Sequence, residues 1–461
     1  MVIGAEVVAR VCALLPAGSS RVLASGDSAL ESAARAAGHR VVGDLASGSA
    51  AGDSLDAAVL ASSTGEIHAE VLGELHAALV ERGSLIVVAP ASARRVLVVA
   101  LSEAGFVVAA VEAAGDAALL QGRRDDFRVR SYRDGDASAI LGLFHRVFHP
   151  NRGFDHLRWK YLEAPYGSRR ISLALDAHDQ LAAHYAGYPV PLHDALAEPP
   201  RDLVALHVGD TMTAPEARAI GRGETSLLGR TVRHFYAAYC EEQVAFNYGF
   251  NRGNIQKFSL RFVRAERAED VGFRVRDLAT SPLAKPSRPR LAWSGLTVDE
   301  LTSRDAVGDE WDAFFHRVAP AYGLLVRRDA AYVRWRYLEC PDTRFRLFAA
   351  RRRGRLAGWG VFRVDGEALV WGDALFERDS EHAVEALLAA AVAASGGALN
   401  RIEGWFPDRP KWWTAVLARR GFRRLPHPQE LALMVVPFAD AATARSLASR
   451  LYYTQGDSDL F

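Results

Sequence analysis

The residues best suited to do chemistry lie in one stretch, Leu203 to Cys240. Leu203–Thr213 alternates and is β-branched enough to predict a strand, with Val204, Leu206, Val208, Asp210 and Met212 on one face. A glycine-punctuated loop follows, Arg218-Ala219-Ile220-Gly221-Arg222-Gly223. Behind it, Leu227, Leu228, Thr231, Val232, Phe235 and Tyr239 give a helix one apolar stripe. Two glycines allow a tight turn that presents successive backbone N–H groups. The helix adds its unsatisfied N-terminal donors and the positive end of its dipole. With Arg218 and Arg222 supplying charge, the loop is an anion cradle of a size that suits a pyrophosphate. Asp210 and Glu216 are carboxylates beside it that could take a proton from an amine.

The order strand, R-x-x-G-x-G loop, helix resembles the acyl-CoA-binding motif of the GCN5-related N-acetyltransferase (GNAT) superfamily. The likeness rests on Arg218, Gly221 and Gly223 as motif positions and on Ala219, Ile220 and Arg222 as loop backbone. Val244–Tyr248 and Asn254–Phe262 match the family's next strand and helix. The resemblance implies transfer of an acyl group, acetyl in the simplest case, from acyl-CoA to the amine of a small molecule. It also implies that N–H groups around Thr211, Met212 and Thr213 polarise the thioester carbonyl, and it places Asn254 near the cosubstrate. The family's tyrosine acid is replaced here by Phe258, which leaves Tyr248 or Tyr239 for that role.

Around this stretch the chain divides into three. Units two and three repeat each other. Arg158-Trp159-Lys160-Tyr161-Leu162-Glu163-Ala164-Pro165 matches Arg334-Trp335-Arg336-Tyr337-Leu338-Glu339-Cys340-Pro341 at six of eight positions, 176 residues apart. A Phe-His-Arg-Val element precedes each copy, at Phe144–Val147 and Phe315–Val318. Unit three does not keep the loop. Its strand Leu369–Phe376 runs into Glu377-Arg378-Asp379-Ser380-Glu381, which would repel phosphate, whereas Trp412–Arg424 resembles the fourth GNAT helix and its following Gly-Phe. Thr280–Arg290, with three prolines, reads as a linker. Expected boundaries are therefore 1–124, 125–279, 280–290 and 291–461.

The first unit has a different character. Residues 1–122 hold seven arginines, no lysine and 13 acids, so the neutral whole (56 basic, 55 acidic) is a cancellation. Strands at Arg21–Ser25, Arg40–Val42, Leu55–Ala61 and Ser84–Ala89 alternate with helices at Ser28–Ala37, His68–Arg82 and Ala93–Ala104. Strands at Gly105–Val111 and Ala117–Gln121 would close a doubly wound, Rossmann-like sheet. RVLASGDSALESAARAAGHRVVGDLASG resembles the opening of an S-adenosylmethionine-dependent methyltransferase, but with one loop glycine (Gly26) and an acid (Asp44) beyond a short strand. A degenerate domain without S-adenosylmethionine is expected. The fold class is thus α/β followed by α+β: a Rossmann-like sheet and then two GNAT folds.

Composition excludes little else. Apolar residues make up 49% and charged ones 24%, which suits a globular chain rather than a disordered one. Cys12, Cys240 and Cys340 have neither disulfide nor metal-ligand spacing, so no metal is expected. With no signal-peptide pattern and no spanning segment, a cytoplasmic protein without membrane contact is expected. Two rival functions remain: an aminoacyl-tRNA-dependent transferase of the same fold, suggested by the arginine-rich later two-thirds, and a non-catalytic binding or scaffold protein. The ending YYTQGDSDLF carries enough aromatic surface to dock, and Asp457 and Asp459 could then meet a cationic amine.

Overall fold

The computed structural model describes residues 3–18, 20–42, 55–148, 152–283, 295–396 and 398–461, with the side chains of 441–444 excepted. Asp44 and most of the linker lie outside them. The chain is mixed α/β and forms two compact units. One holds Met1–Asn151, Arg170–Ala186 and Asp210–Glu241; the other holds Arg152–Arg169, Gly187–Gly209 and Glu242–Phe461. No described helix is long and apolar enough to cross a membrane.

The first unit begins with α1 (Ala5–Leu14), β1 (Arg21–Ser25), α2 (Ser28–Ala36), β2 (Arg40–Val42), β3 (Leu55–Ala61), α3 (Ala69–Ala78) and β4 (Leu79–Pro90). It continues with α4 (Arg94–Glu103), β5 (Phe106–Ala114) and β6 (Ala117–Arg124). The sheet order is β2-β1-β3-β4-β6-β5. β2, β1, β3 and β4 are parallel, and β6 alone runs against them, pairing antiparallel with β4 and with β5. Alternate residues of β4 point into two cores: Leu85, Val87 and Ala89 into one with Leu72, Leu75, Leu97 and Leu101, and Ile86 and Val88 into another with Val7, Val11, Leu30 and Ala34. Period-two apolar sequence buried on both faces is what parallel strands covered by helices require. One expectation fails here. The predicted helix His68–Arg82 stops at Ala78, and the chain is already extended at Leu79. Arg82 sits at φ 63° beside Gly83, a conformation no helix continues through.

The same unit then holds β7 (Arg128–Ser131) and α5 (Ala137–Phe148). After the second unit's α6 (Phe154–Leu157) it resumes with β8 (Ile171–Leu175), the start of β9 (Leu181–Asp194), the end of β10 (Arg201–Thr213) and α7 (Leu227–Tyr239). β8 pairs antiparallel with β7 and with β9.

In the second unit, β10 runs parallel to β11 (Phe246–Asn251), registering Ala205–His207 against Phe246–Tyr248. Then come α8 (Gly253–Phe262), β12 (Glu266–Asp270), β13 (Phe273–Asp277), β14 (Leu296–Leu301), α9 (Asp309–Tyr322), β15 (Leu324–Val326) and α10 (Ala330–Val333). They are followed by β16 (Arg346–Arg352), β17 (Arg355–Asp365), β18 (Ala368–Phe376), α11 (Glu381–Ser395), β19 (Arg401–Trp405) and α12 (Lys411–Arg419). The last elements are β20 (Arg423–Arg424), β21 (Ala432–Pro437), α13 (Ala441–Arg450) and β22 (Leu451–Tyr452). One sheet is ordered β14-β16-β17-β18-β19-β13-β20, and another contains β12-β21-β11-β10-β9-β15-β22.

The two repeat motifs take the same unusual shape. Arg158–Leu162 and Arg334–Leu338 are both single π-helical turns, and both lie in the second unit. Their indoles stack with ring centres 5.3 Å apart. Each donates its N–H to the other's backbone, Trp159 to the Trp335 carbonyl at 2.7 Å and Trp335 to the Trp159 carbonyl at 3.0 Å.

Candidate functional site

The loop after β10 is built by three glycines. Gly221 (φ 68°) and Gly223 (φ 58°) occupy the left-handed region, which costs an L-residue about 1–2 kcal/mol. A Cβ on Gly221 would also overlap the Thr225 carbonyl. The third, Gly229, carries no signal in the sequence. A Cβ there would come within 2.6 Å of the Gly223 and Glu224 carbonyls, so the loop lies directly on the first turn of α7. Ser226 caps that helix: its hydroxyl accepts from the Gly229 amide at 3.1 Å and donates to the Gly223 carbonyl at 2.6 Å. Within the loop, the amides of Ile220, Thr225, Ser226 and Leu227 bond to the Ala217, Arg222, Gly223 and Ile220 carbonyls. Among the described residues no acceptor takes the amides of Ala219, Gly221, Arg222 or Gly223, on a segment where Ala219, Gly221 and Arg222 are exposed. Arg218 donates from Nε to the Thr213 carbonyl at 3.4 Å.

Upstream, strict alternation along β10 breaks down. Ala205, Leu206 and His207 are all buried, Val204 is exposed, and Asp210 stands at φ 49°. A left-handed residue kinks the strand and re-aims everything after it, so one face cannot carry Val204 through Met212. The His184 ring holds the kink, its Nδ1 lying 2.8 Å from the Asp210 carbonyl. Asp210 is half-buried and Met212 buried, with Thr211 and Thr213 half-buried on either side. Glu216 is exposed and ion-paired with Arg146 at 2.8 Å. Its own backbone N–H, then Arg146, holds its carboxyl below the usual range.

Asp210, Thr211–Thr213, Glu216 and Arg218–Gly223 thus share one segment of the first unit, whereas Tyr248 and Asn254 belong to the second. Tyr248 is buried, and burial pushes its phenol well up. Its ring meets His207 edge-on at 5.1 Å. Asn254 is exposed in the first turn of α8, and Phe258 packs on Phe262. Tyr239 donates to the Ile171 carbonyl at 3.4 Å, a packing role.

The second unit also holds a cluster that sequence reasoning did not assemble. Asp459 lies 2.9 Å from the Lys160 ammonium and 3.5 Å from His207 Nδ1. A Cβ at Gly209 would collide with Asp459, so glycine is needed there for the tail to approach. The tail docks along residues 452–458. Asp457 is buried against Arg328 at 2.6 Å, and Arg336 donates to the Gly456 and Ser458 carbonyls at 3.0 and 2.9 Å. Both aspartates of the tail are therefore matched by cations of the chain itself. The cluster borders a cavity of about 200 Å³ lined by Trp159, Lys160, Tyr188, Arg336, Asp459 and Phe461. Lys160 and Arg336 fill the same position in the two repeats. That correspondence was visible in the sequence, but the convergence of both cations on the tail was not.

No family model matches the sequence, and no curated protein does. Solved structures share the fold over part of the chain. A conserved protein of unknown function from Enterococcus faecalis V583, described as a probable N-acyltransferase, shares the architecture over 68% of this chain and 74% of its own, at 12% identity and a TM-score of 0.50. A GCN5-related N-acetyltransferase from Kribbella flavida covers 68% and 71%, at 15% identity and a TM-score of 0.46. An N-myristoyltransferase from Saccharomyces cerevisiae with bound myristoyl-CoA covers 68% and 83%, at 10% identity and a TM-score of 0.44.

Proposed function

We propose that this chain is an N-acyltransferase that moves an acyl group, acetyl in the simplest case, from acyl-CoA to the amine of a small molecule. The observation that carries the reading is the set of amides on Ala219, Gly221, Arg222 and Gly223, which no acceptor of the described chain takes. They sit on a loop held against a capped helix N-terminus, the arrangement that suits a pyrophosphate. The fold likeness to a probable N-acyltransferase supports it. In this reading Arg218 and Arg222 neutralise the diphosphate. The strand amides of Thr211–Thr213 polarise the thioester, and Asp210 accepts the amine proton.

The organisation proposed with it is a tandem pair of GNAT folds, 125–279 and 291–461, of which only the first keeps the loop. Residues 1–124 form a Rossmann-like, methyltransferase-related domain that has lost its cofactor. In support, a Cβ at Gly26 would overlap the Ala61 carbonyl, so the β1–α2 turn is closed against the end of β3. Calorimetric titration of the whole chain with acetyl-CoA tests the function. Binding in the micromolar range, abolished in Arg218→Glu, is expected. No heat with acetyl-CoA or with a long-chain acyl-CoA overturns the reading.

A further inference from the structure

Helix α7 is gripped from behind by the N-terminal sheet. Ala237 belongs to the same apolar core as Leu97, Val98 and Leu101 of α4. Arg94 pairs with Glu241 at 2.5 Å, and Arg95 donates to the Ala237 carbonyl at 3.3 Å. Ser172 Oγ lies 2.8 Å from Nδ1 of the buried His234, whose Nε2 is 3.7 Å from Glu103 at the end of α4. His234, then Arg133 among the other charges nearby, helps keep the Glu103 carboxyl below its usual range. These contacts anchor the helix. Two arginines on its outer turns do something more specific.

Arg233 donates from one guanidinium nitrogen to the Val108 carbonyl of β5 at 2.8 Å and from another to the Glu224 carboxylate at 2.8 Å. Arg230 donates from Nε to the Thr225 carbonyl at 2.8 Å, while its NH1 lies 2.9 Å from the Asp125 carboxylate just beyond β6. Each guanidinium therefore ties the loop to the N-terminal body. Asp125 is itself fixed, its carbonyl meeting His76 at 3.0 Å and its amide donating to Gly105. Only arginine offers a planar fork that reaches two partners at once, and lysine cannot reproduce it.

We infer that the N-terminal sheet is a splint for the anion-binding loop, and that Arg230 and Arg233 are positioning residues that fix the loop's conformation through Thr225 and Glu224. A domain with no cofactor of its own then holds the loop in its binding shape before any ligand arrives, which lowers the ordering cost of binding. The inference rests on the acyl-CoA reading only for what the loop binds. Loop order is a property of the free protein.

The test uses the full chain with Arg230→Ala, Arg233→Ala and the double variant, followed by hydrogen exchange at Ile220, Thr225, Ser226 and Leu227. Arg94→Ala, at the far end of α7, serves as a control that loosens the helix without touching the loop. Faster exchange at those four amides, by about tenfold in the double variant, is expected, with β3 and β4 unchanged and the Arg94→Ala loop like wild type. In steady state the KM for acetyl-CoA should rise about tenfold while kcat and the KM for the amine stay within twofold. Arg233→Lys should fall between wild type and Arg233→Ala. Unchanged loop exchange in the double variant overturns the splint, as does equal loosening in Arg94→Ala. Should the double variant fail to fold, Asp125→Asn removes one tether's charge partner and is read the same way. Failure of wild type to bind any acyl-CoA defeats the acyltransferase reading alone, because the exchange result stands apart from it.

Discussion

Two strand-to-helix junctions in this chain end differently. After β10, the chain turns through two left-handed glycines, caps α7 with Ser226 and leaves four amides without an acceptor among the described residues. After β18, it passes through Glu377–Ser380 into α11, with Ser380 at the cap position making no side-chain cap bond and Glu381 in the first turn. Glu381 is held by Arg419 and Arg420, each at 3.0 Å, and Arg419 above all keeps its carboxyl below the usual range. The second junction thus supplies its own anion to the helix N-terminus, whereas the first turn of α7 carries no acid. Yet a brace is common to both. Arg146 joins Glu216 and the Leu181 carbonyl, and Arg317 joins Glu377 and the Leu356 carbonyl. What the two junctions share is support; where they differ is donors.

The largest expected break in that contrast is at Gly221. Gly221→Val imposes a left-handed β-branched residue and a clash with Thr225, so the loop must rearrange. At about 2–3 kcal/mol for the strained conformation, acetyl-CoA affinity should fall roughly 30–150-fold by calorimetry, with little change in the unfolding midpoint because the loop is exposed. Retained affinity would show that the amides of this loop are not the donors.

A smaller effect separates the two cap serines. Ser226→Ala removes an acceptor for Gly229 and a donor to Gly223, and should cost about 1 kcal/mol of stability in denaturant titration. Ser380→Ala should cost nothing or stabilise slightly, since the Ser380 hydroxyl is buried without a partner among the described residues and its removal relieves a desolvation penalty. Equal losses at the two serines would mean that the junctions are capped alike and that the contrast is one of sequence only.

Much of this was legible in the sequence, for physical reasons. The repeat Arg158–Pro165 and Arg334–Pro341 could be read because a π-helical turn with reciprocal indole bonds tolerates few substitutions. The loop could be read because left-handed turns demand glycine. The kink at Asp210 could not, because a non-glycine residue in that region leaves no mark on composition, and the face assignment along β10 failed with it. Gly229 was hidden in a helix, where glycine reads only as weak propensity. The Lys160–Asp459–His207 cluster joins residues some 250–300 positions apart in the chain, and no local pattern encodes such a meeting. The two tethers of the loop, Arg230 and Arg233, lay in plain view on the amphipathic helix, but their partners at Asp125 and Val108 are set by tertiary packing.

The smallest expected effect decides what Glu216 is for. As the catalytic base, its loss in Glu216→Gln would lower kcat by about 10²–10⁴-fold. The matching pair Arg317–Glu377, at a junction without a cradle, argues that this position is a brace, so kcat in Glu216→Gln should stay within about twofold of wild type. The pH dependence separates the two further. The carboxyl of Glu216 lies below its ordinary 4.5 in the folded chain, so whatever the ion pair contributes is present above that value and fades as pH falls through the lower folded one. Wild type and Glu216→Gln should therefore differ little at neutral pH, where an exposed pair is weak, and converge in unfolding midpoint at acid pH. Glu377→Gln, whose ion pair is more shielded from water, should lose more stability, about 0.5–1 kcal/mol. A base limb that disappears from the kcat/KM profile of Glu216→Gln would reverse the assignment and leave Asp210 as the structural residue of the two.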